Sequence, residues 1–233
     1  MNKLIVLVLT ICLFCHSAVS SPLEAGKSAM VRGHYGTAMR AFLPLALEGD
    51  GEAQTYVGYL FEKGLGVKQS YITSIKWYKK AGANGSSSAQ HSLGMLYYNG
   101  KGTEVSYSAA YEQFLQASNQ DFPSSLYMLG LMYHQGHSVS TNFERARVWF
   151  LKAARLGVAN AQFMYAYMLQ SGEGGPSEPN KAMVWAVLSE KNGKTDSVAI
   201  TVPAGMTMSE QEIETAKKIA LECYARNYES CPE

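Results

Sequence analysis

What this chain lacks narrows its chemistry first. It has no Ser-x-x-Lys, no Gly-x-Ser-x-Gly, no Walker loop and no His-Glu-x-x-His, so the motifs of serine nucleophiles, nucleotide binding and zinc hydrolysis are missing. His134 and His137 stand close together, but a metal site needs a third ligand and the sequence offers none beside them. No catalytic residue, metal or cofactor is therefore expected. Charge of one sign is missing too: 20 Lys and Arg face 19 Asp and Glu, and no basic stripe gathers the cations. That argues against nucleic acid or an acidic membrane surface as partner. Disorder does not fit, because hydrophobic residues make up 47% of the chain.

Cysteine is scarce, with 4 in the chain, and two of them, Cys12 and Cys15, fall in a segment that stands apart. Lys3 supplies a positive start, Leu4 to Cys15 an apolar run of 12, and Ala18-Val19-Ser20 small residues at the positions a signal peptidase reads. The run is too short to span a bilayer. Residues 1–20 therefore read as a signal peptide cleaved after Ser20, which makes the mature chain periplasmic or secreted, with no stable membrane insertion. Cleavage removes Lys3 and no acid, taking the formal charge from +1 to 0. Cys223 and Cys231 remain, and an even count in an exported chain reads as a disulfide.

What is present is a period. Ala53-Gln54 returns as Ala89-Gln90, Ser125-Leu126 and Ala161-Gln162, each step 36 residues. Gly58 returns as Gly94, Gly130 and Ala166, and Gly64 as Gly100, Gly136 and Gly172. In the second half of the unit, Trp77 is followed by Gln113, Trp149 and Trp185. A fixed period of this length means stacked supersecondary units. Val57, Gly58 and Phe61, like Ser74, Trp77, Tyr78 and Ala81, recur at helical spacing, which gives two amphipathic helices per unit. Gly64-Leu65-Gly66 and its counterparts break the chain between them. The mid-helix glycines cost up to about 1 kcal/mol each in propensity, so they imply a close helix approach, with the aromatic at Phe61, Tyr97 and Tyr133 filling the space beside it.

These residues resemble the Sel-1-like repeat family, relatives of the tetratricopeptide repeats. Ala89-Gln90-His91-Ser92-Leu93-Gly94-Met95-Leu96-Tyr97 and Arg145-Ala146-Arg147-Val148-Trp149-Phe150 follow its pattern, and the likeness runs from about Leu23 to Gly193. The expected fold is all-α: a right-handed α/α solenoid of about five helix-turn-helix repeats with a C-terminal capping helix. Residues 21–193 form the solenoid and 194–233 a connector and cap. Leu23–Glu48 is a first repeat with a shorter inter-helix loop, and Pro44 lies inside its second helix. Lys194–Ala204 shows no helical period and reads as a connector. Ser209-Glu210-Gln211-Glu212 is a capping box opening the last helix, whose apolar stripe is Ile213, Ala216, Ala220 and Tyr224, flanked by Ile219 and Cys223. Cys231 folds back to Cys223 in this reading, a terminal feature the resemblance also implies.

The resemblance implies a scaffold for protein partners rather than an enzyme. In such hairpins the first helix lines the concave surface. The Gly58 register then places Thr55, Tyr59, Glu62, His91, Met95, Tyr98, Tyr127, Leu131, His134, Phe163, Tyr167 and Gln170 on it, in trios spaced four then three. Aromatics and methionine suit an adaptable protein interface, so the expected function is a non-catalytic adaptor of the bacterial envelope holding a protein or peptide. Some of these residues could instead pack between units. Two alternatives remain: a protein that binds or hydrolyses cell-wall muropeptides or β-lactams, as some cysteine-rich relatives are linked to, and a secreted effector acting on host proteins. Against the first, the chain lacks the regular cysteine pair per repeat of that branch.

Overall fold

The computed structural model describes residues 21–233; the signal-peptide expectation lies outside them. Among the described residues there are twelve α-helices and no strand. The first ten form five hairpins: α1 (Pro22–Val31) with α2 (Tyr35–Glu48), α3 (Gly51–Lys63) with α4 (Tyr71–Ala83), α5 (Ser87–Asn99) with α6 (Tyr107–Ser118), α7 (Pro123–Gln135) with α8 (Phe143–Arg155), and α9 (Ala159–Ser171) with α10 (Pro179–Lys191). Each helix packs on its neighbours in the chain, which makes an α/α solenoid. α11 (Val198–Gly205) and α12 (Glu210–Ala225) close it.

The boundaries repeat because the capping chemistry repeats. Ser70, Ser106 and Asn142 cap the second helices of three successive units by accepting from the backbone N–H three residues on. Gly64, Gly100, Gly136 and Gly172 end the first helices in the left-handed region, with φ from 64° to 77°. A side chain at those φ values is strained, which is why the period keeps glycine there.

The mid-helix glycines serve as sockets. A Cβ on Gly94 would lie 2.6 Å from Phe114 Cε1, one on Gly130 2.6 Å from Phe150, and one on Gly58 2.7 Å from Tyr78. Gly26 receives Phe42 in the same way. The ring that occupies the space therefore comes from the second helix. The sequence reading assigned this filling to Phe61, Tyr97 and Tyr133, and the structure corrects it: Tyr78, Phe114 and Phe150 are at most 1% exposed and point straight at the glycines. In the fifth unit the register holds Ala166 and Ala186, both 0% exposed. The socket and its ring are replaced together.

A second periodic contact joins units. Gln54 Nε2 donates to Ala46 O at 3.0 Å, Gln90 to Gly82 O at 3.1 Å and Gln162 to Ala154 O at 3.0 Å. Each reaches back eight residues to the helix end of the preceding unit. The other end of the amide accepts from an asparagine 30 residues on: Asn84 for Gln54 at 3.0 Å and Asn192 for Gln162 at 2.8 Å. The fourth unit carries Leu126 and Leu156 at these positions, so both polar partners are lost together. In the third unit Gln120 donates instead to Gly85 O at 2.9 Å, and Gln90 Oε1 is left without a protein partner. We expect Gln54→Leu to destabilise by about 1–3 kcal/mol, because it orphans buried polar groups. Gln54→Leu/Asn84→Leu, which copies the fourth unit, should fall short of the summed single effects by about 1 kcal/mol in urea unfolding.

The solenoid end differs from expectation in two places. Lys194–Ala204 is not an extended connector: a 3₁₀ turn at Thr195–Ser197 leads into α11. α11 is apolar nearly all round, so no period shows in its sequence. Ile200 and Ala204, four apart, bury at 1% and 0% exposure, and packing on α9 and α10 holds a segment whose β-branched residues and Pro203 disfavour helix. On α12 the capping box is present, but the buried stripe is Ala216, Ala220 and Cys223, while Tyr224 is 39% exposed. Tyr224 instead carries Lys191 Nζ over its ring at 4.6 Å. Cys223 and Cys231 are disulfide-bonded, with Cα atoms 5.2 Å apart. Pro44 sits on the exposed side of α2, inside an unbroken helix.

Candidate interaction face

The first helices α3, α5, α7 and α9 place the twelve expected face residues, and none of the twelve is fully buried. They divide by what they touch. Tyr59 and Tyr167 point outward, 38% and 42% exposed. Met95, Tyr127, Leu131 and Phe163 are half-buried and lean on the cores of neighbouring helices. The polar ones mostly bridge units. Thr55 Oγ1 lies 2.9 Å from Ser86 Oγ at the start of α5. His91 Nδ1 lies 2.9 Å from Ser125 Oγ on α7. Tyr98 Oη meets His137 Nδ1 at 2.9 Å and donates to Gln135 at 3.2 Å. His134 Nε2 meets Glu173 at 2.8 Å. Glu62 accepts from Tyr78 Oη at 2.8 Å and pairs with Lys63. Gln170 is half-buried, and its Oε1 has no protein partner.

His134 and His137 therefore turn to different partners. His137 stacks on Tyr107 with ring centroids 4.2 Å apart, while His134 meets Phe143 edge-on at 5.2 Å. Among the described residues no three His, Cys, Asp or Glu side chains group as a metal site. The signal for these bridges was in the sequence: Tyr98 to His137 and His134 to Glu173 are both 39 residues apart, one period plus three. Only a structure shows that the residue after the first loop glycine, Gly136 or Gly172, reaches back to the preceding unit.

Two imidazole–hydroxyl pairs involve face residues, Tyr98 with His137 and His91 with Ser125, and the second sets a serine hydroxyl beside a base. Ser125 is 0% exposed, so its hydroxyl cannot meet a substrate, and the bond serves to tie α5 to α7. Phe114 and Phe122 flank the imidazole at 5.5 and 5.2 Å, and burial pushes its pKa down to about 4 from an ordinary 6.5. A folded pKa below the unfolded one means that the unfolded chain binds the proton more readily. Stability should therefore be intact above about pH 6.5 and fall as pH drops towards 4, by about 2–3 kcal/mol in all. Urea unfolding of wild type at pH 7 and pH 4.5 should show this loss, and His91→Gln should reduce it.

Clefts lie along the face. One of about 270 Å³ between α3 and α5 is lined by Tyr59, Glu62, His91 and Met95, with Lys63 and Lys101 at its rim. Another, of about 560 Å³, opens beside Thr55 and is lined by Asp50, Glu52, Ser86 and Ser88. No described helix is long and apolar enough to cross a membrane.

Solved structures share this architecture. A Sel1 repeat protein from Oxalobacter formigenes superposes with a TM-score of 0.72 at 24% identity, over 90% of this chain and 91% of that one. A protective antigen present in uropathogenic Escherichia coli strains, displaying an SLR fold, gives 0.57 at 19% identity over 89% of this chain and 54% of that one. An immunity protein from Pseudomonas aeruginosa gives 0.50 at 13% identity, over 89% and 84%. At these identities the likeness is one of fold. No curated protein matches the chain. The family model for the Sel1 repeat matches residues 51–86, 87–122, 123–158 and 159–193. Those four units are the hairpins from α3 to α10, the structure adds a fifth in α1 and α2, and with more than half of its length matched the chain belongs to the Sel1 repeat family.

Proposed function

We propose that this protein is an exported, non-catalytic adaptor of the bacterial cell envelope that holds a protein or peptide partner along the face formed by α3, α5, α7 and α9. Sel1 repeat proteins are in general protein-interaction scaffolds. The observation that carries the specific reading is the face itself: outward Tyr59 and Tyr167 with half-buried Met95, Tyr98, Tyr127 and Phe163, held on regular helices by bonds between units. Aromatic and methionine side chains on a rigid frame supply contact area at low entropic cost. Export is supported by the N-terminal sequence pattern and by the Cys223–Cys231 bond, which persists in oxidising compartments. The serine that lies beside His91, Ser125, is buried and offers no accessible nucleophile for a hydrolytic role.

The test is crosslinking in intact cells followed by capture, comparing wild type with Tyr59→Ala/Tyr167→Ala. Both tyrosines are partly exposed, so the variant should keep its melting temperature within a few degrees. A partner held by wild type and reduced roughly tenfold in the variant supports the adaptor reading, since loss of two aromatic anchors is worth at least about 1.4 kcal/mol. Equal capture by both moves the binding surface to the other helices. Recovery of the protein from the culture medium, and not from the periplasm, would favour an effector acting outside the cell.

A further inference from the structure

Charge is distributed unevenly between the two sets of helices. α5, α7 and α9 are 13 residues each, and not one of them contains Asp, Glu, Lys or Arg. The second helices of the same hairpins do: α6 has one, Glu112, α8 has five among its 13 residues, and α10 has Lys181, Glu190 and Lys191. Solvated helix faces ordinarily carry such residues, and here the uncharged helices are the ones whose side chains stand half-exposed.

The charges that border the face lie off these three helices, and most have a neighbour of their own. Glu62 pairs with Lys63, Glu173 with His134 at 2.8 Å, and Lys194 with Asp196 at 2.7 Å while lying over the Phe163 ring at 5.2 Å. Lys101, at the rim, lies over the Tyr71 ring at 5.9 Å. Burial keeps the His91 imidazole neutral at neutral pH. A charged side chain brought onto α5, α7 or α9 would lose water and find no counter-charge on those three helices, which penalises it. An apolar or amide group loses little there and gains contact with tyrosine, methionine and glutamine.

We infer that the face from α5 to α9 recognises an uncharged segment of a partner protein, apolar and amide side chains without Asp, Glu, Lys or Arg, and that it does so with almost no dependence on salt. This rests on the adaptor reading above and names the chemistry of its partner.

The test uses random 12-residue peptides displayed on phage, selected on the full chain with its disulfide intact, and synthetic copies of the selected peptides for titration. The expected result is peptides depleted in charged residues. Their affinity should change by less than about twofold between about 50 and about 500 mM NaCl, since an interface without charge has nothing for ions to screen. It should fall roughly tenfold in Tyr167→Ala, the loss of one aromatic anchor. Charged peptides whose affinity drops about tenfold or more over that salt range, and which Tyr167→Ala still weakens, would overturn the inference and leave the adaptor face standing. Neutral peptides indifferent to Tyr167→Ala and to Tyr98→Ala would overturn the adaptor face itself. Failure to enrich any peptide would overturn both.

Discussion

Gly94→Leu should destabilise the protein by about 3 kcal/mol or more, because the place of its side chain is taken. A Cβ at Gly94 would lie 2.6 Å from Phe114 Cε1 and 2.8 Å from Cδ1. Phe114 cannot swing away: it is 0% exposed, and His91 packs against it at 5.5 Å. Phe114→Ala alone should cost about 3–5 kcal/mol by opening a cavity in the core. The informative variant combines Gly94→Ala with Phe114→Ala, since the fifth unit already lives with Ala166 and Ala186 at these positions. The pair should be less damaging than the sum of its parts by about 1–2 kcal/mol, as expected for residues that share one space. Chemical unfolding of the four proteins measures it. Additive effects would mean that glycine and ring do not share a socket.

Reduction of Cys223–Cys231 should have the other large effect, concentrated at one end. Closing so short a loop is worth about 2–3 kcal/mol in the chain-entropy account, and the bond also positions contacts that reach three hairpin helices. Trp185 Nε1 donates to Pro232 O at 2.9 Å. Tyr228 Oη lies 2.8 Å from Asn192 Nδ2, which in turn donates to Gln162 at 2.8 Å. Arg155 pairs with Glu233. With the bond cut, the segment after α12 should detach and Trp185 should meet water. Trp185 is 0% exposed, so its release should red-shift the tryptophan emission. Hydrogen exchange should quicken in α10 and α12 and stay unchanged in α1–α4, because each unit of a solenoid contacts only its neighbours. An unchanged unfolding midpoint in dithiothreitol would remove the disulfide from the list of what holds this end.

The sequence carried the period, the number of hairpins and the glycine breaks between helices, and it offered Cys223 and Cys231 as a pair. It could do so because each of these rests on local chemistry repeated every 36 residues: Ser70 and Ser106 as caps, Gly64 and Gly100 as left-handed stops. It also placed the face residues on one side of the first helices, since helical geometry alone fixes that.

Tertiary structure decided what the same register does in different surroundings. Trp77, Trp149 and Trp185 share one position. The first two are half-buried under Lys80 and Lys152, with ammonium groups 4.7 and 4.6 Å from their rings, whereas Trp185 is sealed because α12 covers α10. Which ring fills a glycine socket, whether an amide bridges units or a leucine replaces it, and whether 198–205 is a helix were also decided there. In each case the partner lies on another helix or beyond it, 20 residues away for Gly94 and Phe114 and 30 for Gln54 and Asn84. Periodicity reports which residues return together, but the contact that gives each its role depends on which helix lies opposite, and only the stacked chain supplies that.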